Sequence, residues 1–240
     1  MSKTVGTIRE IWRYPVCSIG GERLDEAFVD ADGIDGDRTH LLANLDSGEV
    51  ASPETTPRWR PALMLSAYRS GDGVMVSSPT WKSITAGPDL DAALSEFMGF
   101  RCGIRPIGAP LENDVPAAGA LRPRYDIAAL HLLTSKSLSD LADHLPDSEI
   151  DRRRFRPNLL LESEERQGNW LAHDWASGTL AGTVTEKTKR CGMTMVAQPD
   201  LPEDPEILRA IVRQHARCLG VYASVTQAGG ISVGDAFLLS

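Results

Sequence analysis

The chain never stays apolar for long. Short stretches of alternating or continuous apolar residues are cut off, one after another, by glycine, proline, aspartate and serine. That punctuation restricts the fold more than any other feature, because strands tolerate such spacing and long helices do not. Thr4 to Trp12 alternates and is stopped by Tyr14-Pro15. Val16 to Gly21 is a small-residue turn, Leu24 to Val29 a second strand, and Asp32 to Arg38 a turn-rich lead into a strand over Thr39 to Leu45. Asp46-Ser47-Gly48 carries the residues of a hairpin turn. The same signature marks Ala62 to Arg69, Val74 to Ser77, the stretch around Cys102 and Ile104, Ala128 to Leu133, Leu159 to Glu162, Thr179 to Thr188, Val221 to Thr226 and Ala236 to Leu239. Gly168 to Gly178 reads as a loop whose two tryptophans cover core.

Helical spacing shows in three places. Leu90, Leu94, Phe97 and Met98 fall on one face of Asp89 to Gly99, with Gly99 as the stop. Leu138, Leu141 and Leu145 do the same over Ser137 to Leu145, which Thr134 or Ser135 would cap. Asp204 to Cys218 is the third, with Cys218 packed on it and His215 at the surface. Many short strands and few helices predict an α+β, β-rich fold, a barrel or sandwich with peripheral helices. At 42% hydrophobic, the 240 residues suffice to bury a core. Gly108 to Gly119, rich in proline, alanine and glycine, is the expected linker.

Two short runs point to chemistry. Arg154-Phe155-Arg156-Pro157-Asn158 sets two guanidiniums and a carboxamide around a proline-stiffened turn. Arginine presents a rigid fork of donors, which suits phosphate or another planar anion. Lys189-Arg190-Cys191 places a thiol directly after two cations, a setting that favours thiolate, the form that binds metal or attacks sulfur. Arg38 either pairs with Asp35 or Asp37 or serves as an anion ligand held by that aspartate. Thr134 and Ser135 could bind an anion at the helix start, although capping is their more general task. Such a basic cluster stands out in a chain of net charge −8, with 33 acidic and 25 basic residues. That balance argues against nucleic-acid and membrane-surface partners and fits the capture of one small anion.

Other chemistries find no footing. No GxSxG, GxGxxG or GxxxxGK[ST] occurs, and the five histidines are scattered. Cys17, Cys102, Cys191 and Cys218 form no CxxC pair, which speaks against a zinc ribbon or a four-thiolate cluster. Met1 to Val16 is broken by charges and no stretch is long and apolar enough to span a bilayer. A cytoplasmic protein with free thiols is expected.

In order and spacing, these motifs resemble those of the MOSC-domain proteins, named for the C-terminal domain of molybdenum cofactor sulfurase. Ile11 to Ser18 with Gly33 to Arg38 resembles the family's N-terminal β-barrel part, and Arg154 to Asn158, Arg190-Cys191 and Ile231 to Asp235 resemble the MOSC domain proper. The resemblance implies a MOSC-type β-barrel with an N-terminal β-barrel part over 1–110 and a MOSC domain over 116–240. It further implies binding of molybdenum cofactor, with Cys191 as thiolate ligand of molybdenum and catalytic residue. Arg156 and Asn158 would hold the pterin phosphate or ring edge, Arg38 and Ser18 would add polar contacts, and Arg190 would sit beside the metal cysteine. The implied activity is an oxidoreductase that reduces small N-hydroxylated or N-oxygenated substrates, similar to the mitochondrial amidoxime-reducing component and its bacterial relatives. Electrons would come from a separate ferredoxin- or flavin/haem-type protein. Relatives usually carry lysine where this chain has Cys17, a Thr-x-Arg pattern near Ala51-Ser52-Pro53, and a Thr-Thr-x-Asp-Pro type run where Gly192 to Val196 stands here. Two rival readings are a sulfur carrier that uses Cys191, with Cys17, as a persulfide site without metal, and a phosphate-ligand module without chemistry.

Overall fold

The computed structural model describes residues 2–110 and 120–240. In chain order the strands are β1 (Lys3–Arg13), β2 (Glu22–Leu24), β3 (Glu26–Asp30), β4 (Gly33–Ile34), β5 (His40–Asn44), β6 (Ser66–Ser70), β7 (Gly73–Ser77), β8 (Ile84–Thr85), β9 (Cys102–Pro106), β10 (Leu130–Thr134), β11 (Leu159–Glu162), β12 (Asp174–Ser177), β13 (Leu180–Lys189), β14 (Cys218–Gln227), β15 (Gly229–Ser232) and β16 (Ala236–Leu239). The α-helices are α1 (Pro88–Met98), α2 (Ser135–His144) and α3 (Pro205–Gln214).

Seven strands close into a barrel in the order β11-β10-β14-β13-β12-β16-β1, with β1 pairing back onto β11 and β2 hanging from β1. Closure removes the exposed edges that an open sheet of this size would present. The first strand of the chain thus completes a barrel otherwise built from its second half. Alternation places Leu130 and Leu132, Leu159 and Leu161, Val221 and Ala223 in one interior cluster, and a register shift between Ile8 and Glu10 lets Ile8 and Ile11 join it. Trp175 and Trp170 stack on Phe237 from either side, at 5.3 and 5.9 Å between ring centres, and fill the barrel's bulk. The outward face of β10, β11 and β14 supplies Leu133, Leu160 and Leu219, which α2 and α3 cover with Leu141, Ile207 and Ile211.

Of the remaining N-terminal strands, β3 and β4 pair with β15 in a three-stranded sheet, while β6-β7-β8 and β5-β9 form small sheets around a second core containing Trp59, Leu90, Leu94 and Cys102. Cys102 is wholly buried, and burial, Asp91 and an opposing Ser95 hydrogen bond leave its thiol pushed up to about 12.

The β-rich α+β class expected from the sequence holds, and β11 and β16 fall where the pattern put them. Three local expectations fail for identifiable reasons. Ala62 to Arg69 is not one strand: Pro57–Met64 winds as a 3-10 helix started by Pro57, burying Trp59, Ala62 and Leu63, before β6 begins at Ser66. The third helix stops at Gln214, and left-handed Ala216 and Arg217 turn the chain so that Cys218 opens β14. Within the supposed loop 168–178, Asp174 to Ser177 is a barrel strand. Of the expected linker, residues 111–119 lie outside the described residues.

Candidate functional site

A cavity of about 580 Å3 opens between the barrel and the N-terminal segment. Six separate loops or strand ends build it: the turn after β1 (Cys17, Ser18), the turn before β5 (Arg38), Ala51 to Glu54, the approach to β10 (Arg124 to Ala128), Phe155-Arg156 before β11, and the end of β13 (Lys189, Arg190, Cys191). Seven lining side chains are arginine or lysine and three are carboxylates, so a protein of net charge −8 concentrates positive charge at this cavity.

Backbone strain gathers here as well. Seven described non-glycine residues have positive φ, and four of them line the cavity: Ser18 (68°), Arg38 (50°), Arg156 (54°) and Arg217 (66°). Each such residue costs on the order of 1–3 kcal/mol unless the surroundings impose it. Two of the impositions are visible. Arg38 donates to Asn158 Oδ1 (3.0 Å) and the Arg156 carbonyl (3.2 Å) and pairs with Asp37, while its own N–H donates to the Tyr14 carbonyl (2.8 Å). The Arg156 carbonyl lies 3.2 Å from His131 Nδ1 as well.

Three buried guanidiniums face the cavity, and their partners differ. Arg38 has a carboxylate: burial is the largest influence and works against its charge, but Asp37 together with Cys17, Tyr14 and Tyr222 outweighs it and raises its pKa. Arg156 has none. Its guanidinium donates to the Ile19 carbonyl and lies 4.3 Å over the Tyr14 ring, and burial brings its pKa down to about 10. Arg190 has none either. One terminal nitrogen donates to the Phe155 carbonyl (2.7 Å), a second lies 3.5 Å from His131 Nε2, and its buried Nε is without a partner. Burial and Arg190 together hold His131 well below the usual histidine range, so this ring is neutral near pH 7.

The structure sorts the residues singled out from the sequence. Ser18, Arg38, Arg156, Arg190 and Cys191 share the cavity wall, together with Cys17. Burial pushes the Cys17 thiol up, against the pull of Arg38 and Arg156. Asn158 is wholly buried and spends both ends of its amide on the protein, accepting from Arg38 and the His131 N–H and donating to Asp37 and the Trp12 carbonyl. It sets the Asp37–Arg38 pair in place. Thr134 caps α2 by accepting from the Ser137 N–H and donates to Gln167; Ser135 donates to the Ser163 carbonyl. Neither lines the cavity. Arg154, read as one half of an anion clamp, is instead fully buried and tied to the carbonyls of Glu149, Thr194 and Pro202. The left-handed backbone at Arg156 redirects the chain after Arg154, and only Arg156 lines the cavity.

Sequence reasoning missed His131, Glu54, Arg124, Tyr125 and Arg217 at this site. None sits in a motif, and their convergence depends on the barrel closing. Among the described residues no group of three or more His, Cys, Asp or Glu side chains could hold a bare metal ion.

No helix is long and apolar enough to cross a membrane among the described residues. Among solved structures, the YUAD protein from Bacillus subtilis is similar over 100% of this chain and 97% of its own, with a TM-score of 0.55 at 12% identity, which supports the fold alone. YiiM from Escherichia coli aligns at 11% identity over 100% of this chain and 70% of its own (TM-score 0.43), and YiiM from Geobacillus stearothermophilus at 22% over 47% and 54% (TM-score 0.37). No curated protein matches the chain. Two family models do: the MOSC N-terminal beta barrel domain over residues 5–96 and the MOSC domain over residues 124–237. Taken together they account for most of the sequence, and the chain belongs to the MOSC-domain family, which is associated with molybdenum-cofactor binding.

Proposed function

We propose that the cavity holds molybdenum cofactor and that the protein is an oxidoreductase for small N-hydroxylated or N-oxygenated compounds. One observation carries the reading: the half-buried Arg156 and the buried Arg190 have no carboxylate partner among the described residues and share a wall with Cys191. Buried cations left unpaired are costly, and an anionic ligand that arrives with its own phosphate removes that cost. The donor set fits the group. Guanidiniums suit a phosphate, a half-exposed thiol suits a soft metal, and the lack of a multidentate protein metal site among the described residues suits a metal that brings its own ligands.

In this reading Arg156 and Arg190 bind the anionic end, Arg38 is aimed by Asp37 and Asn158, and neutral His131 supports the Arg156 backbone. Cys191 lies on the same wall, directly after Arg190 in sequence, and would present its sulfur to the metal. The cofactor, when bound, supplies two-electron redox chemistry and oxygen-atom transfer. The overall change converts an N–OH group, two electrons and two protons into N–H and water, with electrons from a separate donor protein. The test is metal content after expression in a cofactor-producing host. About one molybdenum per chain is expected, with loss in Cys191→Ala; metal-free wild-type protein from that host rejects the reading.

A sulfur-carrier reading keeps one supporting observation, that Cys17 and Cys191 line one cavity. Cys191 would attack the terminal sulfur of a persulfide donor, taking that sulfur and leaving the donor as a thiol. Mass spectrometry after incubation with a desulfurase and cysteine would show one added sulfur on Cys191; no adduct, with molybdenum bound, excludes it.

A further inference from the structure

Tyr14 does not line the cavity, yet two of the guanidiniums that do are anchored to it. β1 ends at Arg13, and the bend at Pro15 leaves the buried Tyr14 behind the cavity wall. Its N–H donates to Asp37 Oδ1 (2.7 Å) and its carbonyl accepts from the Arg38 N–H (2.8 Å), so its backbone sets the Asp37–Arg38 pair beside it. Its hydroxyl donates to the carbonyl of Pro157 (3.1 Å), the residue after Arg156. Burial pushes that phenol up to about 12, against the pull of Arg156 and Arg38, so the proton stays on. The Trp12 ring stacks on it at 6.4 Å, and a Cβ added at Gly21 would fall 2.5 Å from a ring carbon, which leaves the ring little freedom to turn.

The ring itself meets the cations. Arg156 Cζ lies 4.3 Å from its centre and Arg38 Cζ 5.1 Å. The negative face of an aromatic ring attracts a cation, the more so away from water. Unlike a carboxylate, that face leaves the cation its full charge and does not take up its N–H donors. Arg38 has Asp37 besides, and spends donors on Asn158 and the Arg156 carbonyl. Arg156 gives Nη1 to the Ile19 carbonyl, while its Nε and Nη2 have no hydrogen-bond partner among the described residues and are not enclosed. A guanidinium in that condition keeps both its charge and its fork of donors for an incoming oxyanion.

We propose that Tyr14 is the positioning residue of the anion site: its ring holds the Arg156 guanidinium in place, charged and with donors free, where a carboxylate would compete with the ligand. The proposal rests on the reading of the cavity as an oxyanion site and adds the residue that keeps that site ready in the ligand-free protein.

Calorimetry with pyrophosphate on metal-free protein tests it, because the hydroxyl and the ring can be removed separately. Tyr14→Phe gives up the bond to Pro157 and lowers Tm, yet keeps its affinity for pyrophosphate within about threefold of wild type. Tyr14→Leu gives up the ring as well and binds roughly tenfold or more weakly. Placing 3,4,5-trifluorophenylalanine at position 14 keeps the shape of phenylalanine and depletes the negative face. That protein melts with Tyr14→Phe but binds pyrophosphate roughly threefold or more weakly than it, an effect that a merely structural ring would not produce. It also decides the matter should Tyr14→Leu not fold. Equal affinity of Tyr14→Phe and the fluorinated protein, a loss in Tyr14→Phe as large as in Tyr14→Leu, or no saturable pyrophosphate binding to wild type each overturns the assignment. Any of these in a protein that does acquire molybdenum leaves the oxidoreductase reading standing. Ring-dependent pyrophosphate binding in a protein that never acquires molybdenum sinks that reading and leaves this one in place.

Discussion

The barrel interior and the wall of the cavity beside it obey opposite rules. Inside the barrel every large side chain is apolar and touches others of its kind, as Trp170, Phe237 and Trp175 do in their stack. On the cavity wall stand five guanidiniums, two thiols and three carboxylates, and two of the guanidiniums, Arg156 and Arg190, have carbonyl partners but no carboxylate among the described residues. Four non-glycine residues there keep left-handed backbones. One region lowers the free energy of the fold and the other raises it, the expected arrangement where a surface is prepared for something it does not contain. Arg154 and Arg156 express the contrast within three residues: the first satisfies three carbonyls of its own chain, the second faces the cavity.

Substitutions can break that contrast, starting with the barrel. Phe237→Ala removes the centre of a stacked trio and is expected to cost about 3–5 kcal/mol in urea unfolding; a loss under about 1 kcal/mol would mean that the stack does not support the barrel. Arg154→Met is next, at about 3 kcal/mol, because three carbonyls, that of Thr194 buried, lose a charged donor. Arg156→Met should behave in the opposite sense. It removes a buried cation with no carboxylate and is expected to leave stability unchanged or raise it by about 1 kcal/mol. Pyrophosphate is expected to raise the Tm of wild type and to leave that of Arg156→Met unchanged. Similar destabilisation by both arginine substitutions would erase the distinction between them.

The smallest effect is a dependence on pH. His131 has a folded-state pKa depressed below its ordinary 6.5 by burial and Arg190. Between those two values the unfolded chain binds the proton and the folded chain does not, so stability rises with pH. The contribution is complete above about 6.5 and is lost as pH falls toward the folded-state value. Chemical denaturation from pH 7 down to about 5 should show this slope in wild type and a flatter one in His131→Gln. An unchanged slope would place the acid sensitivity elsewhere.

Much of this was open to reading in the sequence, for reasons that differ by element. β11 and β16 are apolar runs between turn residues, and nothing nearby competes with that signal. Thr134 precedes a helical leucine pattern and caps it. Pro57 to Met64 misled because apolar residues from Ala62 onward suit a strand, whereas the two prolines and buried Trp59 tighten them into a 3-10 turn. Arg190-Cys191 was visible as a cluster because its charges and thiol are adjacent in sequence. Glu54 and Tyr125 were not: they are 71 positions apart and meet only across the cavity.

Local order therefore came from the sequence alone: where strands start and stop, which residues cap helices, and which short runs combine cations with sulfur. Those properties depend on neighbours within a few residues, through backbone preference and side-chain period. Tertiary structure alone decided which arginine became scaffold and which became site, because partners for a buried charge come from segments distant in the chain. Closing β1 against β11 brought Asp37, Arg38, His131 and Asn158 to one wall, and only then could burial divide paired charges from unpaired ones.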